Sequence, residues 1–184
     1  RKRQILMALH AMIDLETLGT RPDGVILSVG GVKFDPNGSK IIDEFYYKLD
    51  VDEQTEQGRS IDESTIEWWG TQDPAVIEAA MGSEGRSSVR DFLEHFKRWC
   101  VGADAYWAQG PTFDMCMLEN LYLQYDMNYP WAFWKVRDSR TLFSVMPKDP
   151  RKEMNFAAHD ALEDCKAQAQ CVQFCLRQLR LNIR

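Results

Sequence analysis

Apolar residues dominate positions 5–13 and stop at Asp14, the pattern of a buried strand that delivers a charged side chain at its C-terminal end. Residues 25–34 (VILSVGGVKF) and 41–49 (IIDEFYYKL), joined by the turn-forming run Asp35, Pro36, Asn37 and Gly38, predict two more strands and, with the first, an antiparallel meander. The polar stretch 51–58 reads as a loop, followed by short helical patterns at 64–69 and 74–81. Over 86–100, Val89, Phe92, Leu93, Phe96 and Trp99 have the spacing of one helical face. A short strand (104–108), a helix (112–125), a strand end (135–138) and a short helix (139–145) come next. The last pattern, 156–181, is helical, with Ala158, Ala161, Leu162, Cys165, Ala169, Val172, Leu176 and Leu179 as its inward stripe. Three strands followed by alternating helices and strands predict the α/β class, a mixed sheet flanked by helices.

With 184 residues, 45% of them hydrophobic, the chain fits a single domain over 1–184 with a substantial core. Its apolar stretches fall well short of the roughly 20 residues that a membrane-spanning helix requires, and none resembles a cleaved signal, so the expected setting is cytoplasmic, without a membrane. The five cysteines, at 100, 116, 165, 171 and 175, lack paired C-x-x-C spacing and read as reduced thiols. The last three sit in a helical stretch, where cysteine behaves as a small apolar residue. A net charge of −6 argues against a broad basic face that coats duplex nucleic acid. It leaves room for a nucleic-acid enzyme, because acids that hold divalent cations push the balance negative and the bound cations reverse the local sign.

Four carboxylates and one imidazole stand out: Asp14 and Glu16 in D-L-E-T, Asp114 in T-F-D-M, and His159 and Asp164 in H-D-A-L-E-D. Together they could hold two divalent ions and activate a water, the equipment for cleaving a phosphodiester. Strand side chains at i and i+2 share a face, so Asp14 and Glu16 can point into one site. The apolar run ahead of them favours that over a solvated strand end. Asp114, alone, reads as a helix-cap or first-turn acid; its weight comes from the crevice at which strand ends and helix starts meet in an open α/β sheet. His159 and Asp164 are separated by roughly 140° on a helix, so Asp164 can face the cations while His159 reaches in from the edge. His10 and His95 read as structural histidines. Trp68 and Trp69 offer either a stacking surface or one buried and one partly covered indole, and Asp138 reads as a helix cap or a partner of Arg137 or Arg140.

These residues resemble the DEDDh-type 3′ to 5′ exonucleases of the ribonuclease H-like (DnaQ-like) superfamily, whose three blocks match D-L-E-T, F-D and H-D-A-L-E-D in order. T-L-G-T after the first acids, I-E-W-W-G-T-Q at 66–72 and W-K-V-R-D-S-R-T-L at 134–142 are similar to a narrower branch of phage-type exonucleases and a mycobacterial exoribonuclease. The resemblance implies a ribonuclease H-like fold, with Asp14, Glu16, Asp114 and Asp164 as metal ligands and His159 as general base. Two cations about 3.5 to 4 Å apart acidify a water and clamp the attacked phosphate, and oxygen ligands suit Mg²⁺ or Mn²⁺. An imidazole, with its ordinary pKa near 6.5, can take the proton.

Thr17, Leu18 and Phe113 are the expected substrate-binding residues. Leu18 is a candidate base-stacking wedge, with loop packing as its alternative. The implied substrate is a single strand with a free 3′ end, RNA favoured over DNA, degraded to nucleoside 5′-monophosphates. A single-stranded DNA exonuclease of phage type, or a non-catalytic binding or proofreading module on the same fold, are the rivals; degenerate modules lose metal-binding acids, and none is missing here. Relatives that act as dimers imply a homodimer, with Trp131, Phe133 and Trp134 as candidate contacts or core residues. Many relatives carry an Asn a few residues before the third acid, where this chain has Gln109, leaving 3′-end positioning open.

Overall fold

In the computed structural model, which describes residues 8–153 and 159–183, the expected meander is present. Strands β1 (His10–Thr17), β2 (Ile26–Phe34) and β3 (Ile41–Leu49) pair antiparallel, with Asp14 opposite Gly30 and Glu16 opposite Ser28. The expectation that β1 ends at Asp14 is corrected: the strand carries both acids inside it. Pairing with β2 continues to a bulge between Glu16 and Thr17, so the acids sit on regular backbone rather than on a loop.

The next correction is helix α1 (Val51–Glu56), which replaces the expected loop. Asp50 caps it by accepting from the Glu53 N–H at 2.9 Å. Gln54 is fully buried, and its amide both accepts from the Ile26 N–H and donates to the Ile26 carbonyl, each at 2.8 Å. A polar residue satisfied in this way is invisible to hydrophobic periodicity. Helices α2 (Glu63–Trp69) and α3 (Pro74–Met81) follow as expected. The amphipathic pattern at 86–100 divides: Arg86–Ser87 forms strand β4, parallel to β3, and α4 (Val89–Trp99) begins after Ser88, whose hydroxyl accepts from the Asp91 N–H.

Strand β5 (Ala105–Ala108) lies parallel to β1 and is followed by α5 (Pro111–Gln124), strand β6 (Val136–Asp138) and α6 (Ser139–Ser144). The last helix, α7, spans Ala161–Gln178. Asp160 is its cap, accepting from the Leu162 and Glu163 N–H groups. The expected start at 156, and Ala158 with it, lies outside the described residues. Leu179 is the C-cap and is exposed, so the inward stripe stops at Leu176.

The six strands form one mixed sheet in the order β4-β3-β2-β1-β5-β6. One face packs on α4 and α5 through Ile13, Phe92, Phe96, Leu118 and Tyr122. The other packs on α6 and α7 through Met12, Phe34, Trp107, Phe143, Cys165 and Val172. Even-numbered positions of β1 face α7, which aims Asp14 and Glu16 at that helix. A third cluster, Leu18, Val25, Leu27, Trp69 and Ala80, fixes the chain leaving β1 against α2 and α3.

Cys165, Cys171 and Cys175 are buried. His10 is buried and accepts at Nδ1 from Trp107 Nε1 at 2.9 Å. Asp138 caps α6, accepting from the Arg140 and Thr141 N–H groups. Trp69 is 1% exposed and Trp68 42%, the split of one buried and one partly covered indole. Trp131 belongs to the core, whereas Phe133 and Trp134 are exposed. Among the described residues, no helix is long and apolar enough to cross a membrane.

Candidate active site

Where β1, the start of α5 and the start of α7 meet, a cleft of about 300 Å³ is lined by Asp14, Glu16, Asp114, His159 and Asp164. Residues up to 150 positions apart (14 and 164) therefore face one space. Oxygens of Asp14, Glu16 and Asp164 lie within 4.8 Å of one another. Asp114 stands beside them, and its Oδ1 accepts from the Leu15 N–H at 3.2 Å, which ties the first turn of α5 to β1. The Asp164 Oδ2 accepts from the His159 N–H at 3.1 Å. His159 adopts φ +71°, a conformation uncommon for a residue with a side chain. Its ring meets Trp68 edge-on at 4.9 Å between centroids, with Trp69 at 6.4 Å. Trp69 is itself held by donating from Nε1 to the Thr17 carbonyl at 2.9 Å, so the W-W pair links the imidazole to the end of β1.

Close approach of α7 to the sheet sets the position of Asp164. A Cβ on Gly30 would lie 2.3 Å from the backbone C and O of Ala161, so only glycine leaves room for the first turn of α7.

Burial is the first cause of the cluster's electrostatics. It pushes the Asp14 carboxyl well above the ordinary range, and Asp114, Glu16 and Asp164 add to the rise. Glu16 is raised to about 8 by burial and then by Asp164 and Asp114. Asp114 is raised to about 7 by burial, opposed by its own and the Leu15 N–H and by Arg140. Asp164 is raised by burial, opposed by the His159 N–H and ring. Such a set of buried, mutually repelling carboxylates would be relieved by positive charge among them. Hard oxygen donors without cysteine or an imidazole in the cluster suit a hard divalent cation.

Gln168 joins the site without any chemical mark in the sequence pattern. One helical turn after Asp164, it is buried and donates from Nε2 to Asp14 Oδ1 at 2.9 Å. The signal was its i+4 spacing from Asp164, but glutamine on a long helix carries no chemical signature. Gln109, Arg140 and Arg151 also line the cleft. Phe113 does so too, whereas Thr17 and Leu18 do not: Thr17 is buried, with its hydroxyl donating to the Gly19 carbonyl, and Leu18 is packed in the third cluster, which matches loop packing for its side chain.

The same architecture occurs in the nuclease domain of 3′hExo, a DEDDh family member solved with rAMP, at TM-score 0.63 and 15% identity over 98% of each chain. It also occurs in the zinc-bound E. coli exonuclease I–ssDNA complex, at TM-score 0.72 and 13% identity, where the match covers 95% of this chain and 42% of that longer one. The fold is thus that of the DEDDh, ribonuclease H-like nucleases. In sequence, an exodeoxyribonuclease of Enterobacteria phage T4 is 26% identical over 200 residues, covering 90% of this chain and 88% of the phage enzyme. The chain belongs to the 3′-5′ exoribonuclease Rv2179c-like domain family, whose model matches residues 9–176, and is a 3′–5′ exonuclease.

Proposed function

We propose that this protein removes nucleoside 5′-monophosphates one at a time from the 3′ end of single-stranded nucleic acid, RNA in preference to DNA, with two Mg²⁺ or Mn²⁺ ions. The observation that carries the reading is the convergence of Asp14, Glu16 and Asp164 within 4.8 Å, with Asp114 and His159 lining the same cleft. Asp14, Glu16, Asp114 and Asp164 would hold the cations. When bound, these acidify a water and neutralise charge at the attacked phosphate.

The chain's own groups do the rest. Gln168 fixes one oxygen of Asp14, leaving the other free to bind, and the His159 N–H does the same for Asp164. His159, braced edge-on by Trp68, takes the proton from the attacking water at the imidazole ring. Phe113 lines the cleft where the strand enters and offers an apolar contact to a base. Thr17 contributes through its carbonyl, which holds Trp69 and with it the W-W pair that braces His159, and Leu18 through packing that fixes the chain leaving β1. The exposed Phe133 and Trp134 are candidate contacts for a second copy of the chain, which light scattering would detect.

Removal of a DNA 3′ end is the second reading, favoured by the likeness to the phage exodeoxyribonuclease. Matched 5′-labelled RNA and DNA oligomers, incubated with Mn²⁺, Mg²⁺ or EDTA, test both. Stepwise shortening of RNA that EDTA abolishes is the expected result. Activity undiminished by EDTA, or release of internal fragments, would refute the mechanism.

A further inference from the structure

The end of β5 presents a polar group that neither the protein nor the proposed chemistry uses. Gln109 lines the cleft beside Asp114, and its Oε1 is buried with no hydrogen-bond partner among the described residues. A buried acceptor left unpaired is unfavourable unless a ligand completes it. The surrounding backbone is fixed. The Ala108 carbonyl accepts from the Ser139 hydroxyl at 3.3 Å, and the Gln109 carbonyl accepts from Arg140 Nη2 at 3.1 Å. Gly110 then turns the chain into α5 at φ +113°, in the region that favours glycine. The side-chain amide is thereby presented from a rigid corner, which is what a selective contact requires.

A nucleic-acid backbone offers few donors to such an acceptor. Phosphate and ring oxygens only accept, and the hydroxyls alone donate. DNA carries them only at its termini, whereas RNA carries a 2′-OH on each nucleotide. We infer that the Gln109 side chain binds the ribose 2′-OH of the 3′-terminal nucleotide and is the specificity-determining residue of this exonuclease. The 2′-OH donates its proton to Oε1 and can still accept from another donor. The inference rests on the RNA reading proposed above. A site built around a sugar hydroxyl discriminates against a sugar without it because the buried partner is then left bare.

Three oligoribonucleotides that differ only in the last residue, as ribo, 2′-deoxy or 3′-deoxy ends, test the assignment through kcat/KM. For the wild-type protein the 2′-deoxy end should cost at least about tenfold, and in Gln109→Met the ribo to 2′-deoxy ratio should fall to within about twofold of one. The 3′-deoxy penalty should be the same in both proteins. Circular dichroism and Mn²⁺ affinity verify the variant's integrity, with Gln109→Ala as the second variant if Met disturbs the fold. A folded variant that keeps the 2′ ratio, or loses the 3′-deoxy penalty instead, overturns the assignment while leaving the RNA reading intact. A wild-type protein indifferent to the terminal 2′-OH overturns the role of Gln109, and equal kcat/KM on matched all-RNA and all-DNA strands overturns the RNA reading as well.

Discussion

Replacing Gly30 by alanine should damage catalysis from a position that touches no substrate. The added Cβ would sit 2.3 Å from the Ala161 C and O atoms and 2.5 Å from the Leu162 N, all backbone atoms in the first turn of α7. Carbon contacts settle near 3.5 Å or more, so the turn must retreat by about 1 Å. That turn carries Asp164 one residue before Cys165, whose Sγ packs on the Gly30 carbonyl at 3.3 Å. Overpacking of this kind costs about 1–3 kcal/mol, and for a chain of this size each kcal/mol lowers Tm by about 2–4 °C. A displacement of about 1 Å at a catalytic group costs on the order of 100-fold in rate.

The assay is mononucleotide release by purified wild-type protein, Gly30→Ala and a control, Gly58→Ala, with Tm measured in parallel. Gly58 has φ +84° and open space around its would-be Cβ, so its replacement should cost about 1–2 kcal/mol through backbone strain and leave kcat/KM unchanged. Gly30→Ala with wild-type Tm and activity would refute the argument that helix-to-sheet proximity places Asp164.

Other outcomes follow from the same geometry. Gln168→Leu should keep the fold but lower activity or Mn²⁺ affinity by about 10-fold or more, because Asp14 loses its orienting donor; unchanged titration and turnover would contradict this. Folding raises Glu16 to about 8 and Asp114 to about 7, so in metal-free protein their contribution to stability is whole below the ordinary carboxyl range near pH 4 and is lost as pH rises through 7 to 8. Accordingly, Mn²⁺ should raise Tm more at pH 8 than at pH 5 by thermal melts in EDTA or metal, and an equal or reversed difference would count against the cation cage. Gln54→Leu should lower stability by about 2–4 kcal/mol in denaturant unfolding, since it strips a partner from both the N–H and the carbonyl of Ile26, and a loss under 1 kcal/mol would show those groups find others.

Much of the site was legible because its chemistry is carried by residue types with few other uses. Asp14 and Glu16 follow an apolar run, and alternation along a strand put them on one face whether or not the strand ended there. The strand's true end depended on β2, a partner that local pattern does not reveal. The pattern at 51–58 hides helix α1 because its one fully buried side chain, Gln54, is polar and satisfied by backbone. Periodicity alone points Leu179 inward, yet α7 has ended there and its side chain meets solvent. Gln168 carries no chemical signal in the sequence, and Gln109 stands out only by its place before the third acid, for a related reason: an amide acquires a role only from what tertiary structure places against it.

The cleft's convergence can be tested directly by comparing the imidazoles of His159 and His95. Mn²⁺ at substoichiometric levels broadens NMR signals of nearby nuclei, so the His159 ring protons should broaden first. His95, on α4, should stay sharp, and Asp14→Ala should restore the His159 signals at the same Mn²⁺ concentration. Sharp His159 resonances in wild-type protein under Mn²⁺ concentrations that support nucleotide release would contradict a cation site formed by Asp14, Glu16, Asp114 and Asp164.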